Sequence, residues 1–237
     1  MVIKLSQSVE LKEFCKISLV DVSDDSPGCI ELSFSQAAMV GFATSLLQMY
    51  DDIKDNEKIN ITTHPLQIDP APNQSLGFYI TPSSPTLMVK INTLEDKKRS
   101  DIECIKWEEI DIKWKNQNQY YNVPNPISLE PEIITLESYE LSRKNIVDIK
   151  VFNVKGQDIT HNCSTLIIEL NRNGMRDLGS MLLVWANNCK EGDEYMLPHI
   201  ARTEMGYNMG VVLTDDSILT KFKYEDLGRA NKYDPRF

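Results

Sequence analysis

The chain has 237 residues, 41% of them hydrophobic and 25% charged, the balance of a globular protein long enough for one large domain or two small ones. With 35 Asp and Glu against 25 Lys and Arg, its formal net charge is -10, which argues against a general nucleic-acid or anionic-membrane binder. Its five cysteines, Cys15, Cys29, Cys104, Cys163 and Cys189, show no C-x-x-C spacing and predict reduced thiols, with neither a zinc site nor a disulfide framework.

Glu10, Lys12 and Glu13 fall where a signal peptide needs an apolar core, so a cytoplasmic protein is expected. KISLVDVS (16–23) alternates apolar and polar residues and reads as a strand, and IELSF (30–34) reads as a second. Ser35 is a good N-cap for a helix whose apolar stripe is Ala37, Val40, Gly41, Thr44 and Leu47. That run also holds Ser45 and Gln48 and is too short to cross a bilayer. The acidic residues Asp51, Asp52, Asp55 and Glu57 follow it. GFYITPSS (77–84) and the apolar run after it predict a hairpin.

The middle of the chain reads differently. EDKKRS (95–100) is a charged turn, and CIKWEEIDIKWK (104–115) has period-two strand patterning with a bulge expected at Glu108–Glu109. NQNQYYNVPNP (116–126) is a polar, proline-bearing loop, and PEIITLESYELSRKN (131–145) leads onward.

From there the pattern repeats. DIKVFNVK (148–155) echoes KISLVDVS, and IELNRNGMRDLGSMLLVW (168–185) echoes IELSFSQAAMVGFATSLL (30–47). Setting IEL on IEL places Gly41 on Gly179, Ser35 on Asn173, and the first stripe on Met175, Leu178, Leu182 and Trp185. A glycine twice in mid-helix, on the apolar stripe, predicts a helix lying close against a sheet. GVVLTDDS (210–217) echoes GFYITPSS. Glu191, Asp193 and Glu194 follow the second helix as the acids at 51–57 follow the first, while Asp24, Asp25, Asp215 and Asp216 occupy turns. The expected fold is α+β: two similar lobes from an internal duplication, each a mostly antiparallel sheet with one helix packed on a face. Residues 1–100 form the first lobe, 101–144 connecting strands and a loop that extend or join the sheets, and 145–237 the second lobe.

Catalytic signatures are absent from the sequence: there is no G-x-S-x-G, H-E-x-x-H, P-loop or dinucleotide fingerprint. No cofactor, metal ligand or catalytic residue is therefore assigned. His64 beside Pro65 and His199 beside Pro198 stand at similar places after the repeated helix, as a paired site or simply as turn residues. His161 and Cys163 have the residue types of a nucleophile pair but no third, orienting group. Asp-Ile-Lys occurs at 52–54, 111–113 and 148–150. Glu109, Asp111 and Lys113 imitate the acidic-x-Lys strand of metal-dependent nucleases, in which carboxylates hold the ion and lysine orients water. An alternating strand with one wet face gives the same letters.

The acidic loops have a further reading. Asp51, Asp52, Asp55, Glu57, Glu191, Asp193, Glu194, Asp215 and Asp216 would suit a basic partner, with charge speeding encounter. In size, acidity, Asn/Lys/Ile-rich composition and doubled α+β build, the chain resembles bacterial immunity proteins of contact-dependent growth-inhibition systems. That group has no common motif, so no binding residue carries over. The resemblance implies occlusion of a cognate toxin's active site, often that of a basic nuclease, without direct nucleic-acid or membrane contact. Trp107, Trp114, Tyr120 and Tyr121 are candidate aromatic anchors. The alternative is a metal-dependent hydrolase or nuclease on residues 109–113. A third class is a small-ligand module with a pocket between lobes.

Overall fold

The computed structural model describes residues 2–5, 14–20, 26–54, 57–66, 76–94, 132–135, 146–197, 211–214 and 216–235. The chain divides into two compact units, Met1–Leu11 with Asp96–Glu137, and Lys12–Glu95 with Ser138–Phe237. In the first unit the described residues form one antiparallel pair, β1 (Val2–Leu5) with β7 (Glu132–Thr135). The one described strand of the connecting region thus pairs with the N-terminal strand, in a sheet of its own.

The second unit runs β2 (Phe14–Val20), β3 (Pro27–Phe34), α1 (Gln36–Asp52), β4 (Ile59–Thr63), β5 (Tyr79–Ile80) and β6 (Thr86–Ile91). After the connecting region come β8 (Ile146–Asn153), β9 (Thr165–Leu170), α2 (Arg172–Asn188), β10 (Glu194–Met196), β11 (Val212–Leu213) and β12 (Leu219–Tyr224). The class is α+β, as expected, with two helices and two mixed sheets among the described residues of this unit. One sheet has the order β10-β12-β3-β8-β5 and the other β11-β2-β9-β6-β4. In the first, β3 runs antiparallel to β8 and parallel to β12. In the second, β9 runs antiparallel to β2 and parallel to β6. Each sheet draws strands from both halves of the chain. Exchanging every element for its counterpart in the other half turns one strand order into the other, reversed.

Period-two patterning explains the faces. Ile30, Leu32 and Phe34 of β3 are fully buried, as are Val147, Ile149 and Val151 beside them, while Glu31 and Lys150 point outward. In the other sheet Ile17, Ile168 and Val89 align inward, and Lys16, Glu169 and Lys90 outward. Helix α1 packs on β3 and β8, α2 on β9, and the helices pack most extensively on each other. Phe34 stacks on Phe42 with ring centroids 6.2 Å apart, and Trp185 of α2 stacks on Phe222 of the first sheet at 6.4 Å.

The helices are antiparallel neighbours, tied at both ends. Gln36 Nε2 donates to the Ala186 carbonyl at 2.8 Å, and Arg172 Nε to the Tyr50 carbonyl at 3.0 Å. Each helix's first side chain thereby satisfies an orphan carbonyl in the last turn of the other.

Four expectations change. The sheets are mixed instead of mostly antiparallel, and neither is built from one half alone, because the crossover turns send each half's strands into both sheets. The second N-cap is Asn171, whose side chain accepts from the Gly174 N–H, as Ser35 accepts from the Ala38 N–H. The helices therefore correspond two residues away from the register in which IEL lies on IEL. Ser35 matches Asn171, and the buried pairs become Met39 with Met175, Phe42 with Leu178, Ala43 with Gly179 and Leu46 with Leu182. Gly179 lies against the other helix instead of a sheet: a Cβ there would stand 3.0 Å from Leu47 Cγ and 3.1 Å from the Ala43 oxygen. Nor do residues 77–91 form a hairpin. β5 pairs with β8 and β6 with β9, in different sheets.

Candidate functional site

The turn that replaces the hairpin is built the same way in both halves. The Ser84 N–H donates to the Thr81 carbonyl at 3.2 Å, and their hydroxyls lie 2.7 Å apart. The Ser217 N–H donates to the Thr214 carbonyl at 3.0 Å, with hydroxyls 2.8 Å apart. Ser84 Oγ then accepts the Ile149 N–H at 2.7 Å, and Ser217 Oγ the Ile17 N–H at 3.1 Å. Each serine locks its turn onto a strand of the other half, and the chain crosses from one sheet to the next. The Gly-x-x-aliphatic-Thr-x-x-Ser frame encodes this crossover.

A carboxylate stands beside each turn. Asp148 accepts from the hydroxyls of Thr81 and Ser84, with Lys150 Nζ at 3.8 Å. Asp216 accepts from Thr214 at 2.7 Å and pairs with Lys16 at 2.5 Å. The bond from Lys16, then that from Thr214, holds the Asp216 carboxyl down to about 2. These are turn locks, in keeping with the turn reading of Asp216.

The acidic candidates fall at separate places. Asp51 and Asp52 are exposed in the last turn of α1, with Glu57 exposed beyond it. Glu191, Asp193 and Glu194 are exposed after α2. Because the helices run antiparallel, these clusters lie at opposite ends of a pair about 25 Å long. Several of the acids are engaged: Glu57 accepts the Lys54 N–H at 3.3 Å, Asp193 the Lys190 N–H at 2.7 Å, and Glu194 pairs with Lys221 at 2.9 Å. Asp51 and Asp52 stand where a helix end carries partial negative charge; α1 has no basic residue in that turn, and Arg172 of α2 donates to the Tyr50 carbonyl there. Asp55, Asp215, Asp24 and Asp25 lie outside the described residues.

The other candidates separate in the same way. His64 Nδ1 lies 3.3 Å from Thr86 Oγ1, and His199 is outside the described residues. His161 is exposed on a single 3-10 turn, whereas Cys163 is buried with its thiol 3.7 Å from the Ile159 carbonyl. Burial, then the Asp158 carboxylate, pushes that thiol up, away from the thiolate form a nucleophile needs. Glu109, Asp111, Lys113, Trp107, Trp114, Tyr120 and Tyr121 are all outside the described residues. Among those described, no three His, Cys, Asp or Glu side chains gather to hold a metal ion, and no helix is long and apolar enough to cross a membrane.

Sequence reading missed one cluster on the outer face of the first sheet. Lys221 pairs with Glu31 at 2.7 Å as well as with Glu194, beside an open hollow of about 520 Å³ lined by Gly28, Cys29, Phe152, Asn153 and Val154. Burial lowers the Lys221 pKa, but its bonds to Glu31 and Glu194 outweigh that and raise it, keeping the ammonium charged and occupied. The signal was the lysine's place opposite Glu31, legible only once β12 is known to lie along β3. Comparison with protein-family models, with curated proteins and with solved structures gives no match.

Proposed function

We propose that this chain is an acidic cytoplasmic immunity protein that binds and blocks a cognate bacterial toxin with a basic surface, a nuclease being the first class to test. The observation that carries the reading is the placement of Asp51 and Asp52. They stand exposed in the last turn of α1, where each carboxylate opposes the helix dipole by about 0.3–1 kcal/mol. Arg172 and Arg176 of α2 bring cations to the Tyr50 end of α1, and the reading takes the exposed carboxylate pair beside them as a recognition element. Glu191 and Asp193 form a second exposed acidic cluster, in the turn beyond α2, and the net charge of -10 gives long-range attraction to a basic partner. Since the two clusters lie at opposite ends of the helix pair, the reading assigns one cluster to the toxin's active site.

The two halves are read as copies of one ancestral unit. The exchangeable strand orders, the caps Ser35 and Asn171, the reciprocal bonds of Gln36 and Arg172, and the twin Thr-x-x-Ser locks support duplication.

The test is capture with the tagged protein from lysate of its own organism, at low and then moderate salt, with the captured protein assayed for toxicity. A stoichiometric basic toxin whose activity the chain abolishes is the expected result. Asp51→Asn with Asp52→Asn, or Glu191→Gln with Asp193→Asn, should then weaken binding at least tenfold for the cluster that docks. Mg²⁺-dependent hydrolysis by the purified protein, lost in Asp111→Ala with Lys113→Ala, would replace this reading with the enzymatic one.

A further inference from the structure

We infer that the surface each half of the chain presents to the other is also a recognition surface for a second copy, so that two chains can exchange halves. Every pairing at the centre of the two sheets joins the halves: β3 with β8 and β12, β9 with β2 and β6. The pairs β5–β8 and β11–β2 join them as well. Among the described residues of this unit, pairings within one half are confined to β4–β6 and β10–β12, at sheet edges. The helix pair is likewise shared, bonded through Gln36 and Arg172.

Taken alone, the first half keeps one two-stranded ribbon, and Ile30, Leu32, Phe34 and Phe42 lose the strands and helix that bury them. A half therefore needs its complement to fold. The complement's chemistry is the same whether it arrives from its own chain or from another. The tether keeps a complement within its own chain, so closure of a chain on itself does not depend on protein concentration whereas exchange grows with it. Exchange is then rare in dilute protein and rises as the concentration at refolding is raised. The inference rests on strand pairing alone and does not depend on toxin binding.

The experiment uses the full chain with two different affinity tags. The two forms are unfolded together in guanidinium and refolded together at about 5 μM and about 500 μM, and capture on one tag is scored for the other. Cross-captured protein should rise more than tenfold between those concentrations, carry the native near-UV circular dichroism, and run as a dimer. Forms refolded separately and then mixed should show none. Absence of cross-capture at the higher concentration overturns the inference. So does equal capture after separate refolding, which signifies ordinary surface association, or captured material without native near-UV signal, which signifies aggregation.

Discussion

Gly77 has φ of 77°, and a Cβ there would lie 2.4 Å from the Gly41 carbonyl oxygen. Gly156 has almost the same φ, 78°, and a Cβ there would meet nothing within 4 Å among the described residues. Gly156→Ala should therefore lose only the backbone term, about 1 kcal/mol. Gly77→Ala adds a backbone overlap and should lose about 3 kcal/mol or more; urea midpoints of the two variants read the difference directly. The serine locks give a second comparison. Ser84→Ala strands the buried Ile149 N–H and should cost about 1–3 kcal/mol, while Ser217→Ala, in a more open turn, should cost less. Thr44 points the other way: its hydroxyl is buried without a hydrogen-bond partner among the described residues, so Thr44→Val should be neutral or stabilising by up to about 1 kcal/mol in the same assay.

The helix pair shows what sequence reading reaches at the scale of elements. The first cap, Ser35, and the residues Met175, Leu178 and Leu182 of the second stripe were legible because they depend on neighbours within one turn. The second cap, by contrast, lies two residues earlier than Asn173, and Ala37 and Val40 of the first stripe are only half-buried. The register between the two helices was not legible. A two-residue slip leaves the IEL strands facing the same way but turns a helix by about 200°. Strand letters alone could not detect it, and the shared Gly at 41 and 179 favoured the wrong answer. The hairpin failed for a related reason. A tight turn between two strands reads identically whether the strands pair together or enter different sheets. The decisive bonds, from Ile149 to Ser84 and from Ile17 to Ser217, come from the other half. The helix contact makes a prediction of its own. Ala is preferred over Gly in a helix by about 1 kcal/mol. Yet at Gly179 the added methyl meets the Ala43 carbonyl oxygen, which a side-chain rotation cannot move. Gly179→Ala should destabilise by about 1–3 kcal/mol in thermal or urea unfolding, opposite to an exposed helical glycine.

At the scale of the whole molecule, the acidic loops were visible in the sequence, but their separation and individual engagement were not, because both depend on the antiparallel helix pair. Asp216 illustrates the consequence. Sequence alone made it a turn residue or a docking carboxylate without a partner to name; the structure pairs it with Lys16 across the two halves, and the bonds from Lys16 and Thr214 bring it down from 3.8 to about 2. A carboxyl with a depressed folded-state pKa contributes stability above its unfolded value, and that contribution is lost as pH falls through the folded one. The loss from this pair therefore lies between about pH 4 and pH 2. Glu225, desolvated but bonded to Lys223, and Asp158, desolvated but bonded to Thr160, are also lowered and lose their contributions on the same acid limb. Lys16 is raised by its bond to Asp216, so its side of the pair holds at neutral pH and fades only as pH climbs past the usual lysine range. Asp216 is well exposed, so at pH 7 Asp216→Asn should cost less than about 1 kcal/mol. The diagnostic effect is in the shape of the profile. Urea midpoints of the wild type and Asp216→Asn should converge as pH drops from 4 to 2, whereas a constant gap across that range would mean the aspartate acts through its turn bonds and not through its charge.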